Sequence, residues 1–360
     1  MLSIVLGTRP EIIKMSPIIR YCEEHSIDYF VVHTNQHYSY EMDKVFFEEL
    51  NLAEAKYNLG IGSASQGQQT GMMLGGIEDV FEKEAPDIVL VEGDTNTVLA
   101  GALAASKMHI PVGHVEAGLR SYDRRMPEEI NRVLTDHISD YLFAPTGISK
   151  ENLAREGVLN GVHVVGNTIV DATYQNLKIA SKRSMVLEEL GVGDNDYFLI
   201  TLHRAENVDD KETLDRILTA FNRLSDAYNV PLVFPIHPRT RKMIDRFGLG
   251  SMLDCMMIIE PVGYLDFLIL EKRAKLILTD SGGVQEEACI LSVPCVTLRD
   301  NTERPETLNI GSNVLIDVEK NEIMECVKKM MGREKNWKNP FGDGRTGDKI
   351  IKIVEGTVGV

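Results

Sequence analysis

The chain has 360 residues, of which 43% are hydrophobic and 26% are charged. This length suits about two domains with separate hydrophobic cores, and the composition argues against long disordered tracts and fibrous folds. The formal net charge of −16 argues against a broad nucleic-acid-binding face, because such a face must neutralise phosphates. We therefore expect a globular protein that has no nucleic acid as a partner.

Cysteine usage and hydropathy indicate the compartment. Five cysteines are scattered along the chain without a C-x-x-C pair: Cys22, Cys255, Cys289, Cys295 and Cys326. This pattern predicts neither a disulfide framework nor a zinc site, and it suits a reducing compartment. No run reaches the ~18 apolar residues of a membrane span, and the apolar start ends at Gly7, too early for a signal peptide. We expect a cytoplasmic protein with no membrane segment.

The first half of the chain alternates short apolar runs with amphipathic segments, which is typical of parallel strands connected by helices. The predicted strands are Leu2–Leu6, Tyr29–His33, Asp87–Val91, Val112–Val115 and Tyr141–Phe143. The predicted helices are Gly67–Lys83, Thr95–Lys107 and Pro127–His137.

The second half repeats this alternation. Its predicted strands are Phe198–Leu202, Leu232–Pro235, Met256–Ile259, Leu276–Thr279 and Cys295–Leu298, and its predicted helices are Asp210–Tyr228, Tyr264–Lys272 and Gly283–Leu291. Because near-continuous Val/Ile/Leu runs are typical of strands buried on both faces, the sequence predicts an α/β fold with two Rossmann-like domains. We place the boundary near Gly166-Asn167, with residues 1–166 in the first domain and 167–346 in the second. Gly347–Val354 is weakly helical and has no predicted place from its pattern.

The loop after the first predicted strand carries two cations. Gly7-Thr8-Arg9-Pro10-Glu11 combines a glycine turn with a proline suited to a helix start, and Lys14 follows one turn later. Ligands of doubly wound sheets bind beyond the carboxyl ends of the strands, and a helix N-terminus favours anions there. From spacing alone, an anion site and a capped helix with solvated cations are equally favoured.

A second candidate anion loop, Thr279-Asp280-Ser281-Gly282-Gly283, precedes a predicted helix. Gly282 and Gly283 let the backbone approach phosphate oxygens, and Ser281 adds a hydroxyl donor, so phosphate binding is favoured over a plain strand-to-helix turn. Glu287 could accept from ribose hydroxyls, although a carboxylate is also favourable at the start of any helix. Two such loops in two domains predict a nucleoside diphosphate held between them.

Acidic residues and a histidine also follow predicted strands or open helices. Asp94 and Glu128 are individually more often helix caps or first-turn acids. Glu116 ends an apolar run, where partial desolvation would raise its pKa into a range useful for proton transfer. His203 follows Phe198–Leu202. A structural role and a functional role are about equally favoured for this histidine.

Taken together and in order, these motifs resemble the non-hydrolysing UDP-N-acetylglucosamine 2-epimerases. The resemblance covers nearly the whole chain, through Gly7–Glu11, Gly93–Thr95, Gly113–Arg120, Pro127–Arg132, Gly166–Thr168, Thr279–Glu287 and Thr302–Glu306. It implies the glycosyltransferase-B architecture, in which two Rossmann-like domains face each other across a cleft. It also implies a homodimer, a C-terminal helix at about residues 347–360 that returns to the N-terminal domain, and no metal or nicotinamide cofactor.

The resemblance implies reversible epimerisation of UDP-N-acetylglucosamine (UDP-GlcNAc) to UDP-N-acetylmannosamine (UDP-ManNAc) at C2. The C2 hydrogen is not adjacent to a carbonyl, so direct deprotonation would give a poorly stabilised carbanion. The family instead eliminates UDP to form 2-acetamidoglucal and then adds UDP back. This chemistry requires acid and base groups near C2, with cations and dipoles on the departing diphosphate.

Motif matches to the family assign roles to individual residues. The acid–base group comprises Asp94, Glu116, Glu128 and His203. The substrate contacts are Arg9 and Lys14 for the diphosphate and sugar, Ser281, Gly282 and Gly283 for phosphate, Glu287 for ribose, Phe267 and Val262 for uracil, and Arg304. A second, activating UDP-GlcNAc pocket is matched by Gln36, His37, Arg204 and His237, although Ala205 stands where many relatives have another arginine.

Three alternatives remain open from the sequence. A hydrolysing epimerase would release free sugar, but that group has a different first loop. A glycosyltransferase of the same fold would need an acceptor and fewer acids than Asp94, Glu116 and Glu128 provide. A non-enzymatic sugar-nucleotide sensor would keep the anion loops and lose the acids.

Overall fold

The computed structural model describes residues 1–36, 40–194, 197–317 and 323–358. The chain divides into two units, Met1–Gln175 together with Phe341–Val360, and Asn176–Pro340. This division falls inside a continuous helix, Thr168–Arg183. The boundary that we place at Gly166-Asn167 therefore lies just before this helix, which contributes residues to both units.

The described part of the first unit contains a parallel sheet of seven strands in the order β3-β2-β1-β4-β5-β6-β7. The strands are β1 (Leu2–Leu6), β2 (Tyr29–His33), β3 (Tyr57–Asn58), β4 (Ile88–Glu92), β5 (Val112–Val115), β6 (Tyr141–Ala144) and β7 (Val162–Val164). The helices are α1 (Arg9–His25), α2 (Tyr40–Glu49), α3 (Gln66–Glu84), α4 (Asn96–Lys107), α5 (Pro127–Ile138), α6 (Gly147–Arg155) and α7 (Thr168–Arg183).

The described part of the second unit contains a parallel sheet of six strands in the order β10-β9-β8-β11-β12-β13. The strands are β8 (Phe198–Thr201), β9 (Leu232–Pro235), β10 (Met257–Ile259), β11 (Leu276–Thr279), β12 (Cys295–Thr297) and β13 (Asn313–Leu315). The helices are α8 (Val186–Leu190), α9 (Ala205–Val208), α10 (Lys211–Tyr228), α11 (Pro238–Phe247), α12 (Tyr264–Arg273), α13 (Gly282–Ile290), α14 (Pro305–Asn309) and α15 (Ile323–Met331), with a 3-10 turn at Gly250–Leu253.

The final helix, α16 (Thr346–Val358), packs against α1 in the first unit. The backbone N–H of Gly347 donates to Oδ1 of Asp171 at 3.0 Å, so a side chain from α7 caps the start of α16. The weakly helical segment Gly347–Val354 thus lies within a helix whose N-terminus is tied to the first unit. Across the described residues, no helix combines the length and the apolar character that crossing a membrane requires.

Both sheets follow from continuous apolar runs that are covered on two faces. Every residue of β1 and of β4 is buried, which explains why these strands lack an inside–outside alternation. In the first sheet β1 pairs with β4, and β4 pairs with β5, so the loops after these three strands meet at one edge. In the second sheet β8 pairs with β11, which brings together the loops that begin near Leu202 and Asp280.

Candidate active site

A lysine between two buried carboxyl groups lies at the edge of the first sheet. Lys14 Nζ lies 3.0 Å from Oε1 of Glu92, and it also donates a hydrogen bond to Oε2 of Glu116. Glu92 is 1% exposed and Glu116 is 6% exposed. Helix α1, the end of β4 and the loop after β5 therefore bring together three groups that can exchange or stabilise protons.

Burial controls the charge of Glu92. Burial raises the pKa of Glu92 well above its ordinary value; Lys14 opposes this rise, whereas the neighbouring Glu116 and Glu11 carboxyls add to it. A carboxyl whose pKa is raised in this way keeps its proton at higher pH than an exposed glutamate. Glu92 is the first carboxylate of the run Glu92-Gly93-Asp94 that follows the predicted strand Asp87–Val91, but the motif matches assign it no role.

The backbone at Glu116 adopts a conformation that is uncommon for a residue with a side chain. Its φ is +70°, in the left-handed region, where strain is usually held by surrounding structure and concentrates at functional sites. The next glycine, Gly118, also has a positive φ of +82°, and an added Cβ there would clash with the carbonyl oxygen of Ser149. The loop that presents Glu116 is thus fixed by its backbone.

A buried ionic network supports this loop. His114 Nδ1 lies 2.7 Å from Oδ1 of Asp136, and its Nε2 lies 2.9 Å from the carbonyl oxygen of Gly93. The second oxygen of Asp136 lies 2.7 Å from Nη1 of Arg120. Burial raises the pKa of Asp136, but His114 and Arg120 together hold it below its ordinary value. The ionised Asp136 therefore ties β5 and the loop beyond Glu116 to α5.

Asp94 is held by α5. Its carboxylate forms an ion pair with Nη2 of Arg132, and its carbonyl oxygen accepts a hydrogen bond from Nδ2 of Asn131 at 2.9 Å. Arg132 also contacts Oε2 of Glu129 at 2.9 Å. Glu128, the neighbour that the motif match selects, is exposed in the first turn of α5. The structure thus places Asp94 in a defined network and Glu128 at the solvent side of the same helix.

The first loop is organised by Glu11. Its Oε2 accepts from the backbone N–H groups of Gly7 at 2.5 Å and Thr8 at 3.1 Å, and its Oε1 accepts from Thr95 Oγ1 at 2.5 Å. Burial raises the pKa of Glu11 to about 7 despite these donors. The guanidinium of Arg9 stacks 5.6 Å from the ring centre of Phe46. Glu11 therefore connects the loops after β1 and β4.

In the second unit, His203 is oriented by Asp280. His203 Nδ1 lies 2.9 Å from Oδ1 of Asp280, and the other oxygen accepts from the backbone N–H groups of His203 and Arg204 at 2.9 and 2.8 Å. Burial raises the pKa of the Asp280 carboxyl, but His203 and these backbone donors hold it below its ordinary value. The side chain of His203 is 41% exposed, so its ring has one side in the protein and one open to a ligand.

Ser281 caps α13. Its hydroxyl accepts from the backbone N–H of Val284 at 3.4 Å, and its own N–H donates to Thr279 Oγ1 at 2.9 Å. A Cβ added at Gly282 or Gly283 would meet only ordinary van der Waals contacts. Packing inside the protein therefore does not require these two glycines, whereas close approach of an external group to the backbone would.

Glu287 and Arg304 are each held by a polar side chain of the same unit. The hydroxyl of Tyr264 donates to Oε1 of Glu287 at 2.9 Å, and burial together with this carboxylate raises the pKa of Tyr264 well above its ordinary value. Arg304 Nε lies 3.0 Å from Oε2 of the buried Glu286. Both contacts fix the direction of a group that the motif match assigns to substrate.

The loop from Glu260 to Val262 lies beside a cavity of about 380 Å³. This cavity is lined by Ile236, Pro238, Arg241, Lys242, Asp245 and Glu260. Val262 and Phe267, which flank the start of α12, are each partly exposed. The side chain of Phe267 and the backbone near Val262 are therefore accessible at the place where the motif match expects the uracil ring.

The four residues matched to a second pocket differ in their surroundings. Gln36 is buried, and its Oε1 accepts from Thr97 Oγ1 at 3.0 Å, which gives it a visible structural role. His37 lies outside the described residues. His237 caps α11, and its ring centre lies 5.6 Å from that of His203. Burial and His203 lower the pKa of His237. Arg204 Nη1 lies 3.6 Å from Oε1 of Glu206.

Sequence reasoning missed the residues that orient the acids and bases: Glu92, Asp136, Arg132, Asp280 and Tyr264. Arg132, Asp280 and Glu92 all stand inside runs that the sequence singles out, but none of them receives a role there. Asp136 and Tyr264 carry no local signal that separates them from ordinary helix residues. In the described ranges, no group of three or more His, Cys, Asp or Glu side chains is arranged to hold a metal ion.

Comparison with known proteins identifies the family. The profile of the family described as UDP-N-acetylglucosamine 2-epimerase matches residues 20–355. The UDP-N-acetylglucosamine 2-epimerase of Methanocaldococcus jannaschii is 62% identical over 98% of both chains. A crystal structure of the M. jannaschii UDP-GlcNAc 2-epimerase in complex with UDP-GlcNAc and UDP has a TM-score of 0.89 and 61% identity, covering 99% of both chains.

A relative with lower sequence identity carries the name of a different UDP-sugar. The UDP-2,3-diacetamido-2,3-dideoxy-D-glucuronate 2-epimerase of Pseudomonas aeruginosa is 43% identical over 97% of this chain and 98% of that protein. The predicted α/β fold with two Rossmann-like domains, of the glycosyltransferase-B class, is confirmed by the two parallel sheets and by these structural relatives. The chain belongs to the UDP-N-acetylglucosamine 2-epimerase family.

Proposed function

We propose that this protein is an isomerase that interconverts UDP-GlcNAc and UDP-ManNAc at C2. The observation that carries the proposal is the full-length likeness, at 61% identity, to an epimerase crystallised with UDP-GlcNAc and UDP. The acids and bases at the edges of the two sheets supply the kind of groups that this reaction requires.

The reaction proceeds by elimination and re-addition. A base takes the proton from C2, the electron pair of that C–H bond forms the C1=C2 double bond, and the bond between C1 and the diphosphate oxygen breaks. UDP and 2-acetamidoglucal result. In the return step the diphosphate oxygen attacks C1, and an acid delivers a proton to the opposite face of C2. Charge develops on the departing diphosphate, where cations and N–H dipoles stabilise it.

The first unit supplies acid–base groups in this proposal. Asp94, Glu116 and Glu128 are the candidates that exchange protons with the sugar, and Arg9 and Lys14 contact the diphosphate and sugar. Support comes from the ion pair that fixes Asp94 on Arg132 and from the strained backbone that presents Glu116. Glu128 has the weakest support, since it is exposed.

The second unit supplies UDP-binding groups and His203. Ser281, Gly282 and Gly283 at the start of α13 offer backbone N–H groups to phosphate. Glu287, aimed by Tyr264, accepts from ribose hydroxyls, and Arg304 is a further substrate contact. Phe267 packs on uracil, and backbone groups at Val262 read its edge. His203, held by Asp280, completes the acid–base group.

A second UDP-GlcNAc-binding pocket is a separate proposal. Gln36, His37, Arg204 and His237 would form it. Addition of a trace of UDP-GlcNAc to an assay started with UDP-ManNAc alone tests it. Removal of an initial lag supports the pocket, and strictly linear progress from UDP-ManNAc alone rejects it.

We also propose a homodimer through the helical layer α3, α4 and α5, whose members contact one another in that order. Exposed apolar side chains mark this layer, namely Met72 on α3 at 46% and Ile130 and Leu134 on α5 at 41% and 46%. Large exposed apolar side chains on one helical layer favour an interface. In analytical ultracentrifugation, Leu134→Glu should give monomers, whereas Leu159→Glu, at an apolar residue 71% exposed outside this layer, should not.

Cytoplasmic localisation remains a prediction from cysteine usage.

Incubation with UDP-GlcNAc in deuterated water, followed by proton NMR, tests the activity. We expect UDP-ManNAc with deuterium at C2 and no free sugar at early times. Release of free sugar would instead identify a hydrolysing enzyme. Absence of reaction would leave a glycosyltransferase or a sensor. UDP-2,3-diacetamido-2,3-dideoxy-D-glucuronate is offered in parallel, and faster turnover of that compound would reject UDP-GlcNAc as the preferred substrate.

A further inference from the structure

Glu92 is a buried acid that the family motifs do not assign to any role. It ends β4, it is 1% exposed, and its Oε1 lies 3.0 Å from Lys14 Nζ. The same ammonium donates a hydrogen bond to Glu116. One cation from α1 is therefore shared by two carboxyl groups, one from β4 and one from the loop after β5.

The charges of this cluster do not balance if both acids are ionised. Two carboxylates and one ammonium leave a net charge of −1 among side chains that are 2%, 4% and 17% exposed. Glu11 of α1 adds another carboxyl close enough to act on Glu92. An uncompensated buried charge is strongly unfavourable, and such a group usually neutralises by binding a proton. One proton makes the group of Lys14, Glu92 and Glu116 neutral.

The position of that proton follows from the two environments. Glu92 is more deeply buried than Glu116, and its pKa is raised well above the ordinary value by burial and by the neighbouring acids. Glu116 is the acid that accepts a hydrogen bond from Lys14. The arrangement favours a neutral Glu92 beside an ionised Glu116 that is paired with Lys14.

We propose that Glu92 is a positioning residue that holds one proton beside Lys14, so that Lys14 pairs with Glu116 and keeps Glu116 ionised and in place to accept a proton. This inference rests on the proposed epimerase function for the step at C2. In that step the proton moves from C2 to Glu116, the C–H electron pair forms the C1=C2 bond, and UDP leaves. Glu92 keeps its proton throughout and does not touch the substrate.

Loss of the proton from Glu92 would disturb this arrangement. Once ionised, Glu92 competes with Glu116 for Lys14. The cluster then carries a net negative charge beside the sugar from which the UDP anion departs in the proposed reaction. Activity should therefore fall on the alkaline side as Glu92 ionises. A glutamine at this position can accept from Lys14 as a neutral carboxyl does, but it has no proton to lose in this range.

The pH dependence of kcat and KM for Glu92→Gln tests the proposal. We expect kcat near neutral pH close to the wild-type value, KM unchanged, and loss of the alkaline fall in kcat. If Glu92 only fills space, the normalised profile of the variant superimposes on that of the wild type, which overturns the proposal. Glu92→Met, which has similar length and no proton to share, provides the same comparison if Glu92→Gln does not fold.

An infrared measurement on the ligand-free protein separates this inference from the proposed function. Near neutral pH, the difference spectrum of the wild type minus Glu92→Gln should contain a neutral-carboxyl band from Glu92, because the neutral carboxyls of Glu271 and Glu11 contribute to both proteins and cancel. Asp171→Asn is the matched control, because Asp171 is another buried acid in the same unit and has no place in the cluster. It should retain the band and the alkaline fall. Absence of this band from the difference spectrum overturns the proposal. The band without any epimerisation supports the proton on Glu92 and rejects the proposed function.

Discussion

His203 Nδ1 lies 2.9 Å from Oδ1 of Asp280, and this contact joins the loops that follow β8 and β11. The same carboxylate accepts the backbone N–H groups of His203 and Arg204 through its other oxygen. Asp280 therefore fixes both the ring and the backbone of His203. A carboxylate that accepts from one ring nitrogen of a histidine sets which nitrogen carries the proton.

Asp280→Asn should reduce both activity and stability. The amide can accept with one end only, so either the ring of His203 or the backbone donors lose their partner. We expect kcat to fall by about 10²-fold, the size of an acid–base contribution. Loss of part of the hydrogen bonding around the buried Asp280 should lower the free energy of unfolding by about 1–3 kcal/mol. Steady-state kinetics and urea denaturation measure the two effects.

The pH dependence and a control sharpen this test. The pKa of Asp280 is lowered in the folded protein, so its contribution to stability is present above the unfolded-state pKa and is lost as pH falls through the folded-state value. Asp210→Asn is the control, because Asp210 caps α10 at an exposed position where asparagine also caps. Wild-type turnover in Asp280→Asn would show that His203 needs no fixed orientation.

Asp94→Asn and Glu116→Gln should each lower turnover by about 10²-fold or more, since general acid–base catalysis contributes that amount. Both replacements keep the shape of the side chain and remove its ability to exchange a proton. The exchange of deuterium into C2, measured by NMR, should fall with turnover. Asp140→Asn, at an exposed carboxylate that accepts from the backbone of Val112, serves as the control. Wild-type rates in either site variant would remove that residue from the acid–base group.

The sheets could be predicted because their strands are long apolar runs. β1, β2, β5, β9 and β11 lie at the predicted positions, and the remaining predicted strands differ by one residue at one end or, for β4, at both ends. Three strands were missed, β3, β7 and β13, which have two or three residues and are partly exposed. Such short edge strands carry no periodic signal, and their pairing is fixed by the neighbouring strand.

The exact ends of the strand after α3 decide which acid belongs to the candidate active site. Asp87–Val91 was the predicted run, whereas β4 is Ile88–Glu92. Asp87, which the prediction places in the strand, is exposed, whereas Glu92, which it places after the strand, is buried. The reason is tertiary: Lys14, far away in sequence, lies beside Glu92. Spacing along the chain could not show this pair, nor the contact of His114 with Asp136, because both depend on which loops meet.

Glu271→Met should stabilise the second unit. Glu271 is 0% exposed, and within the described residues neither of its carboxyl oxygens has a hydrogen-bond partner. A buried polar group without a partner costs about 1–3 kcal/mol, and methionine has a similar volume without that cost. We therefore expect a higher free energy of unfolding by about that amount near neutral pH.

The direction in which stability changes with pH tests this prediction further. Burial and the nearby Glu287 raise the pKa of Glu271 well above its ordinary value. The stability linked to this group is present below the unfolded-state pKa and is lost as pH rises through the folded-state value. Urea denaturation at about pH 5 and about pH 8 should show a decline for the wild type that Glu271→Met reduces. Glu189→Gln, an exposed acid on α8, should decline like the wild type. An equal decline in Glu271→Met would contradict the prediction.

Asp171 should make the docking of α16 sensitive to pH. Its Oδ1 accepts the N–H of Gly347 at the start of α16, while burial raises its pKa to about 6 against the effect of this donor. Ionisation of Asp171 is thus less favourable in the folded protein than in the unfolded chain, whose reference pKa is 3.8. Stability should be greatest below that value and decline until the pH passes the folded-state pKa.

Hydrogen exchange of the α16 amides at several pH values measures this effect. Asp171→Asn keeps an oxygen for Gly347 and has no charge to bury, so protection of α16 should no longer decline between about pH 4 and about pH 6. Asp171→Ala also has no charge to bury but removes the cap, so it should be less stable than Asp171→Asn by about 1 kcal/mol at every pH. Asp343 offers a control of opposite sign, because its hydrogen bond with Lys349 lowers its pKa and its contribution is lost as pH falls. Unchanged pH dependence in Asp171→Asn would mean that another group controls how α16 is held on α1.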